Sequence, residues 1–214
     1  QAIMRLAIYE MLYREDVSYN IAINEAVADA EFHHKKLAEY LERAIYVCPH
    51  HGLSTFESHD DVIQCQTCGR KIRHLPTKEL EGVGFESPFH FVNDWYEYQK
   101  DYVNSIDPTV HTDAPIYEDR ANLSEVIVYK RKNLLQKDIS VKLYGNRLEL
   151  GDMVLPFEDI STVAVLGRNK LNIYAGNDVY QLKGSKRFNA LKYVNFFHRY
   201  QNITGGKNDE FLGL

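Results

Sequence analysis

All three cysteines of this 214-residue chain lie in one stretch, CPHHGLSTFESHDDVIQCQTCG, residues 48–69. Three thiols do not make a disulfide framework, but the two ends of the stretch share a form that suits a metal. One end reads Cys48-Pro-His50-His51-Gly52, the other Cys65-Gln-Thr-Cys68-Gly69, with 13 residues between His51 and Cys65. His51 stands where a second cysteine would complete C-x-x-C, and His50 is one residue out of register. A glycine follows each second ligand, where a tight knuckle often needs positive φ. The candidate ligands are therefore Cys48, His51, Cys65 and Cys68. Three thiolates and a neutral imidazole suit Zn²⁺, whose d¹⁰ shell accepts tetrahedral N/S coordination without d-electron preference. Four protein donors leave no open position, so the expected zinc is structural rather than catalytic. The competing readings are a degenerate knuckle that has lost its metal, three unconnected thiols, and a redox Cys65-x-x-Cys68. The last lacks the strand-to-helix setting of a thioredoxin motif.

The flanking sequence supplies short strands for such a knuckle. AIYVCP from Ala44, VIQC and KIRHL alternate with the cysteine pairs, as strand and knuckle alternate in a zinc ribbon. A ribbon of this size holds too few apolar residues to fold unaided, and metal binding would supply the missing free energy. Upstream, residues 3–14 and roughly 20–43 read as helices from apolar residues at helical spacing, with Ser18 or Asn20 as a candidate cap. Downstream, FVNDWYEYQKDYV reads as a helix with Val92, Trp95, Tyr96, Gln99, Tyr102 and Val103 on one side. SIDPTVHTDAPIYEDRAN, rich in Pro, Asp and Thr, reads as a linker.

From Leu123 the apolar period becomes two. SEVIVYK, ISVKLYG, RLELGD, MVLPF, ISTVAVLG, KLNIYAG and DVYQLKG are separated by the turn-forming KRKN, GN, GD, GRN and GND. RFNALKYVNFFHRYQ closes the run as an amphipathic helix on which His198 reads as a packed or surface residue. The expected fold class is α+β: N-terminal helices, a small zinc ribbon, and a C-terminal pleckstrin-homology-like (PH-like) antiparallel β-barrel capped by a helix. The expected division is 1–43 helical, 44–76 ribbon, 77–121 helix and linker, and 122–214 PH-like domain.

No apolar run approaches the ~20 residues of a membrane-spanning helix, and the N-terminus lacks a signal-peptide pattern. A soluble cytoplasmic protein is the expectation, and a start at Gln1 rather than Met is what a fragment of a longer protein would show. The net charge of −5 is unevenly spread. Residues 1–121 carry 11 Lys+Arg and 21 Asp+Glu, whereas residues 122–214 carry 14 and 9. An acidic first part and a basic second part would meet different partners, or each other.

KKLAEYLERAIYVCPHHGLSTFESHDDVIQCQTCGRKIRHLPTKEL, followed by PFHFVNDWYEYQKDYV, resembles the C-terminal accessory region of clostridial-type 1-acyl-sn-glycerol-3-phosphate acyltransferases. Trp95 and Gln99 stand at that family's W-x-x-x-Q spacing, and His51 replaces its usual cysteine. The resemblance covers roughly residues 35–214, including the closing NDEFLGL. It implies bacterial phospholipid biosynthesis, lysophosphatidate to phosphatidate, with the acyltransferase domain itself preceding this region. The family's H-x-x-x-x-D motif is absent, since no histidine here has an aspartate five positions on. No E-G-x-R-S-like phosphate-binding segment is present either, so this chain carries no catalytic apparatus for acyl transfer. Separately, IMRLAIYEMLYREDVSYNIAINEAVADAE, residues 3–31, resembles the late helices of the antitermination factor N-utilisation substance B. That family's lysine-rich continuation and closing helix do not follow residue 31.

Three functional expectations follow. In the first, the chain is a non-catalytic accessory region peripheral to the inner face of the membrane. Lys130, Arg131 and Lys132 in one hairpin loop, with Arg168 and Lys170 in another, would contact an anionic bilayer at roughly 1 kcal/mol per residue. Simple solvation of those loops is the plainer alternative. In the second, the ribbon binds nucleic acid, although Glu57, Asp60 and Asp61 beside it would repel phosphate. In the third, the chain is a protein-interaction scaffold.

Overall fold

The computed structural model describes residues 36–128 and 131–206. The helices expected at 3–14 and over 20–35 lie outside the described residues, as does Lys130. Residues 36–43, the tail of the expected 20–43 helix, form turns that end in a one-turn 3₁₀ helix, Leu41–Arg43. Two backbone donors turn elsewhere: Ala38 N–H bonds the Asp60 carbonyl at 2.8 Å and Tyr40 N–H the Ser58 hydroxyl at 2.8 Å. Tyr40, at φ 74°, breaks any helical continuation.

Two small antiparallel sheets follow. Strands β1 (Val47–Cys48) and β2 (Gly52–Leu53) form a two-stranded ladder. Strands β3 (Phe56–His59), β4 (Val62–Cys65), β5 (Lys71–His74) and β6 (Leu80–Gly82) form a four-stranded meander. The expected strand over AIYVCP is confined to its last two residues before the proline, because Gln99 intercepts the backbone ahead of them. Its Oε1 accepts from Tyr46 N–H at 2.7 Å and Val47 N–H at 3.2 Å, and its Nε2 donates to the Ala44 carbonyl at 2.9 Å.

Helix α1 (Val92–Ser105) carries that glutamine and buries Trp95, Gln99 and Val103. At its N-terminus Asp94 accepts from the backbone N–H groups of His90 and Phe91, satisfying donors that the helix cannot. Trp95 packs with Ile45, Ile63, Ile72, Leu80 and Phe89 in a core of its own.

The second unit is a seven-stranded antiparallel sheet. Its strands are β7 (Tyr117–Val128), β8 (Arg131–Leu143), β9 (Arg147–Leu150), β10 (Met153–Pro156), β11 (Ile160–Val165), β12 (Lys170–Ala175) and β13 (Asp178–Gly184). They run in the order β10-β9-β8-β7-β13-β12-β11, and helix α2 (Leu191–Thr204) covers the concave side. Leu123, Val141, Leu148, Leu171, Ile173 and Leu182 alternate inward to meet Tyr193, Phe196 and Phe197 of α2. Seven strands, with the last beside the first, and a C-terminal helix are consistent with the PH-like arrangement. The barrel itself is not closed by hydrogen bonds. β10 and β11 are both edges, joined through a 3₁₀ turn at Phe157–Asp159, so the sheet is a curled half-barrel.

Two sequence boundaries move. β7 begins at Tyr117, inside the stretch read as a linker, because its inward residues include an acid. Asp119 sits between the inward Tyr117 and Ala121 and takes the Tyr193 hydroxyl and the Lys192 ammonium, each at 2.6 Å. Lys192 is buried there, and burial lowers its pKa despite Asp119. β8 begins at Arg131, so Arg131 and Lys132 are strand residues rather than loop residues, and Lys170 is the first residue of β12. Arg168 lies in the turn before it. Among the described residues no helix is long and apolar enough to cross a membrane.

Candidate metal centre

Cys48 ends β1 and Cys65 ends β4, while His51 and Cys68 lie in the tight turns that follow. Both turns need left-handed backbone at the next residue, and Gly52 (φ 87°) and Gly69 (φ 72°) supply it. At Gly52 space is also limiting: a Cβ there would stand 2.0 Å from the Tyr102 hydroxyl of α1. Helix α1 fixes the first ligand from the other side. Trp95 Nε1–H donates to the Val47 carbonyl at 2.8 Å, one residue before Cys48. The Trp95 and Gln99 spacing therefore has a mechanical meaning, since residues four apart share one helix face and hold the same strand.

Cys48, His51, Cys65 and Cys68 each direct one donor atom into a common space, all within 4.8 Å of one another, and the group can hold a metal ion. Cys48 and Cys68 Sγ are 3.8 Å apart, and His51 Nε2 is 3.2 Å from Cys65 Sγ. A sulfur–sulfur bond is about 2.05 Å, so the three cysteines are free thiols. Tetrahedral Zn–S bonds of about 2.3 Å and Zn–N bonds of about 2.0 Å imply edges of about 3.8 and 3.5 Å. The Cys48–Cys68 and His51–Cys65 separations match within a few tenths of an ångström, and the whole donor set, within 4.8 Å, would contract slightly around an ion. His50 is exposed and remains outside the group.

The two buried thiols are electrostatically unlike. Burial pushes Cys48 up to about 12, against the backbone N–H of His50. Burial also pushes Cys65 upward, but hydrogen bonds from the Ser54 hydroxyl, the backbone N–H groups of Cys68 and Thr67, and His51 bring it down to about 6. Ser54 Oγ lies 3.1 Å from Cys65 Sγ and 2.9 Å from Thr67 Oγ1, and the serine is 5% exposed. Sequence reading missed Ser54 and Thr67 as supporting residues, because nothing in the C-x-x-H or C-x-x-C spacing marks them.

Of the basic residues expected in loops, Arg168 lies in its turn, whereas Arg131, Lys132 and Lys170 are strand residues. Lys132 and Lys170 come together on the sheet face turned away from the core, joined by Lys183, which the sequence reading did not select. Arg131 and Arg168 are exposed, without an ion pair to a described carboxylate. His198 is half-buried beside Phe197, with its pKa lowered by burial.

The two units meet through charged and neutral hydrogen bonds and through Tyr46, Val47 and Val103, which pack into the core of the curled sheet. Arg187 Nη1–H donates to Glu42 Oε1 and to the Ser58 carbonyl, both at 2.6 Å, and its Nη2–H donates to Glu39 Oε1 at 3.1 Å. Glu42, whose side chain is 3% exposed, also accepts from the Ser58 hydroxyl. Tyr117 OH donates to the Tyr46 carbonyl at 2.8 Å, and Asn195 Nδ2–H to the Tyr46 hydroxyl at 2.6 Å.

Comparison with known proteins gives two partial likenesses. The NusB family matches over residues 1–38, in keeping with the resemblance read at residues 3–31. No curated protein matches the chain. Among solved structures, the solution structure of the N-terminal PH domain of human ARAP2 protein is similar at 15% identity with a TM-score of 0.32, covering 41% of this chain and 81% of that one.

Proposed function

We propose that residues 36–206 form a non-catalytic accessory module in which a structural zinc staples the small sheets and the curled sheet presents a basic face to an anionic surface. The observation that carries the zinc reading is the convergence of three thiols and one imidazole within 4.8 Å. Cys48, His51, Cys65 and Cys68 would hold the ion, and a filled tetrahedron would give it a structural role. A dication there would also reverse the high Cys48 pKa by stabilising the thiolate.

The finer reading is that this module accompanies an acyltransferase converting lysophosphatidate to phosphatidate, whose catalytic domain would precede it. It rests on the residue resemblance over roughly residues 35–214, to which the shared grip of Trp95 and Gln99 on residues 44–47 lends a physical reason. The NusB match at residues 1–38 favours a second reading, a nucleic-acid-binding chain related to transcription antitermination. A protein-interaction scaffold is the third.

Elemental analysis of protein purified without added metal tests the zinc reading, with Cys48→Ser and His51→Ala as partners. One zinc per chain, weakened in both variants, is the expected result. Well-folded protein without zinc would overturn it. Sedimentation with anionic vesicles and with RNA then separates the first two readings.

A further inference from the structure

We propose that Lys132, Lys170 and Lys183 form a binding site for a phosphate monoester on the outer face of the seven-stranded sheet. Lys170 and Lys183 are direct partners across the β12–β13 ladder, and Asn172 and Gln181 are the next pair on the same face. The intervening Leu171 and Leu182 point into the core. Lys132 reaches this face from β8, where its ammonium donates to Gln181 Oε1. Gln181 is 3% exposed and is held by its own donation to Asn172 Oδ1 at 2.6 Å. Two strands thus build a fixed amide floor, with Lys132 bonded to it and the Lys170–Lys183 pair next to it on the same face.

Among the described residues the charges on this face are uncompensated. Like charges directly opposite each other in a ladder repel, and no described carboxylate pairs with any of the three lysines. Asp138, whose backbone N–H donates to Asn122 beside Lys183, has its own carboxylate paired with Arg120. Burial first, then repulsion from Lys170 and Lys183, lowers the Lys132 pKa.

The charge count selects the ligand. A carboxylate would neutralise one ammonium and offer two oxygens. A phosphate monoester carries about −1.5 to −2 charge and three terminal oxygens, one for each lysine. The site lies along strand faces rather than in the hairpin loops and does not require Arg131 or Arg168. It rests on the proposed anionic-surface role only for the source of the phosphate, which is either a lipid headgroup or a soluble ester.

The test uses the whole chain with three probes: inorganic phosphate, phosphatidate vesicles, and phosphatidylglycerol vesicles of equal surface charge. Chloride at matched ionic strength is the control for phosphate. Amide NMR shifts report on residues 170–172 and 181–183, sedimentation reports vesicle binding, and zinc content with circular dichroism monitors the fold of Lys170→Gln and Lys183→Gln. Phosphate shifts absent in chloride, with a tenfold or greater weakening in both variants, are expected. Preference for phosphatidate over phosphatidylglycerol, lost in the same variants, assigns a lipid source. Phosphate shifts without vesicle binding keep the site with a soluble ester and remove the surface role. Vesicle binding unchanged in both variants, without phosphate shifts, overturns the site and leaves the surface role standing. Equal shifts in chloride and phosphate also overturn the site.

Discussion

Around the four-donor cluster the buried apolar core consists of Ile45, Ile63, Ile72, Leu80, Phe89 and Trp95, six residues among those described. The curled sheet and α2 contribute most of a second core of 23 residues, among them Tyr193, Phe196 and Phe197 of the helix. Tyr46 and Val47, which lie between Ile45 and Cys48, already belong to that larger core. The comparison separates two ways of offsetting chain entropy. The sheet does it mainly by burial, whereas the knuckle region has so little apolar surface that a metal in the proposed site would supply the difference. Its other anchors include the hydrogen bonds of Trp95 and Gln99, the packing of Tyr46 and Val47 into the larger core, and the charged junction at Arg187.

The sharpest way to break the comparison is to remove Cys65, the proposed ligand that ends β4. Cys65→Ala, or exhaustive chelation, should cost a large part of the ~10 kcal/mol or more that a structural zinc contributes. Unfolding is expected around residues 44–76, with the seven-stranded sheet retained. Hydrogen exchange resolves the two: amides of Ile63 and Ile72 should lose protection while those of Leu171 and Leu182 keep it. Uniform protection after chelation would show that the small core holds without a cross-link.

The second intervention tests whether the two units are coupled by charge. Arg187→Ala leaves the Glu42 carboxylate buried with the Ser58 hydroxyl as its remaining side-chain partner. Removing one member of a buried pair costs about 3–5 kcal/mol, much of it the penalty of the charge left behind. Replacing both, as Arg187→Met with Glu42→Leu, should recover most of that loss in a denaturant titration. A cost below about 1 kcal/mol for the single variant would place Arg187 with ordinary surface pairs.

What could be read beforehand divides along the same line. The knuckle was legible because ligand spacing is local: C-x-x-H, C-x-x-C and the two following glycines are set by the geometry of one turn. Most strands of the curled sheet were legible from period-two alternation. The start of β7 was not, because the inward Asp119, satisfied by Tyr193 and Lys192 some 70 positions later, breaks the apolar alternation. The tail of the 20–43 helix was misread because its donors go to Asp60 and Ser58 across a fold that local periodicity does not contain. Lys183 could have been found. The Gly176-Asn177 turn joins Ala175 to Asp178, and that register carries Lys170 onto Lys183.

The smallest expected effect lies within the metal centre and asks how far its stability depends on more than the four donors. A thiolate at Cys65 accepts a hydrogen bond from Ser54, whose oxygen can in turn accept from Thr67, so the two hydroxyls orient one sulfur and would stand outside the donor set of the proposed ion. Outer partners of this kind change metal affinity by about 10–100-fold. Ser54→Ala leaves all four donors and both cores in place. It should retain one zinc per chain, release it about tenfold faster to a chelator, and shift the thiolate charge-transfer band of the cobalt-substituted protein. Ser54→Thr, which keeps the hydroxyl, should restore the band. A band and release rate unchanged in Ser54→Ala would reduce the serine to packing and leave the four donors alone responsible for holding the small sheets together.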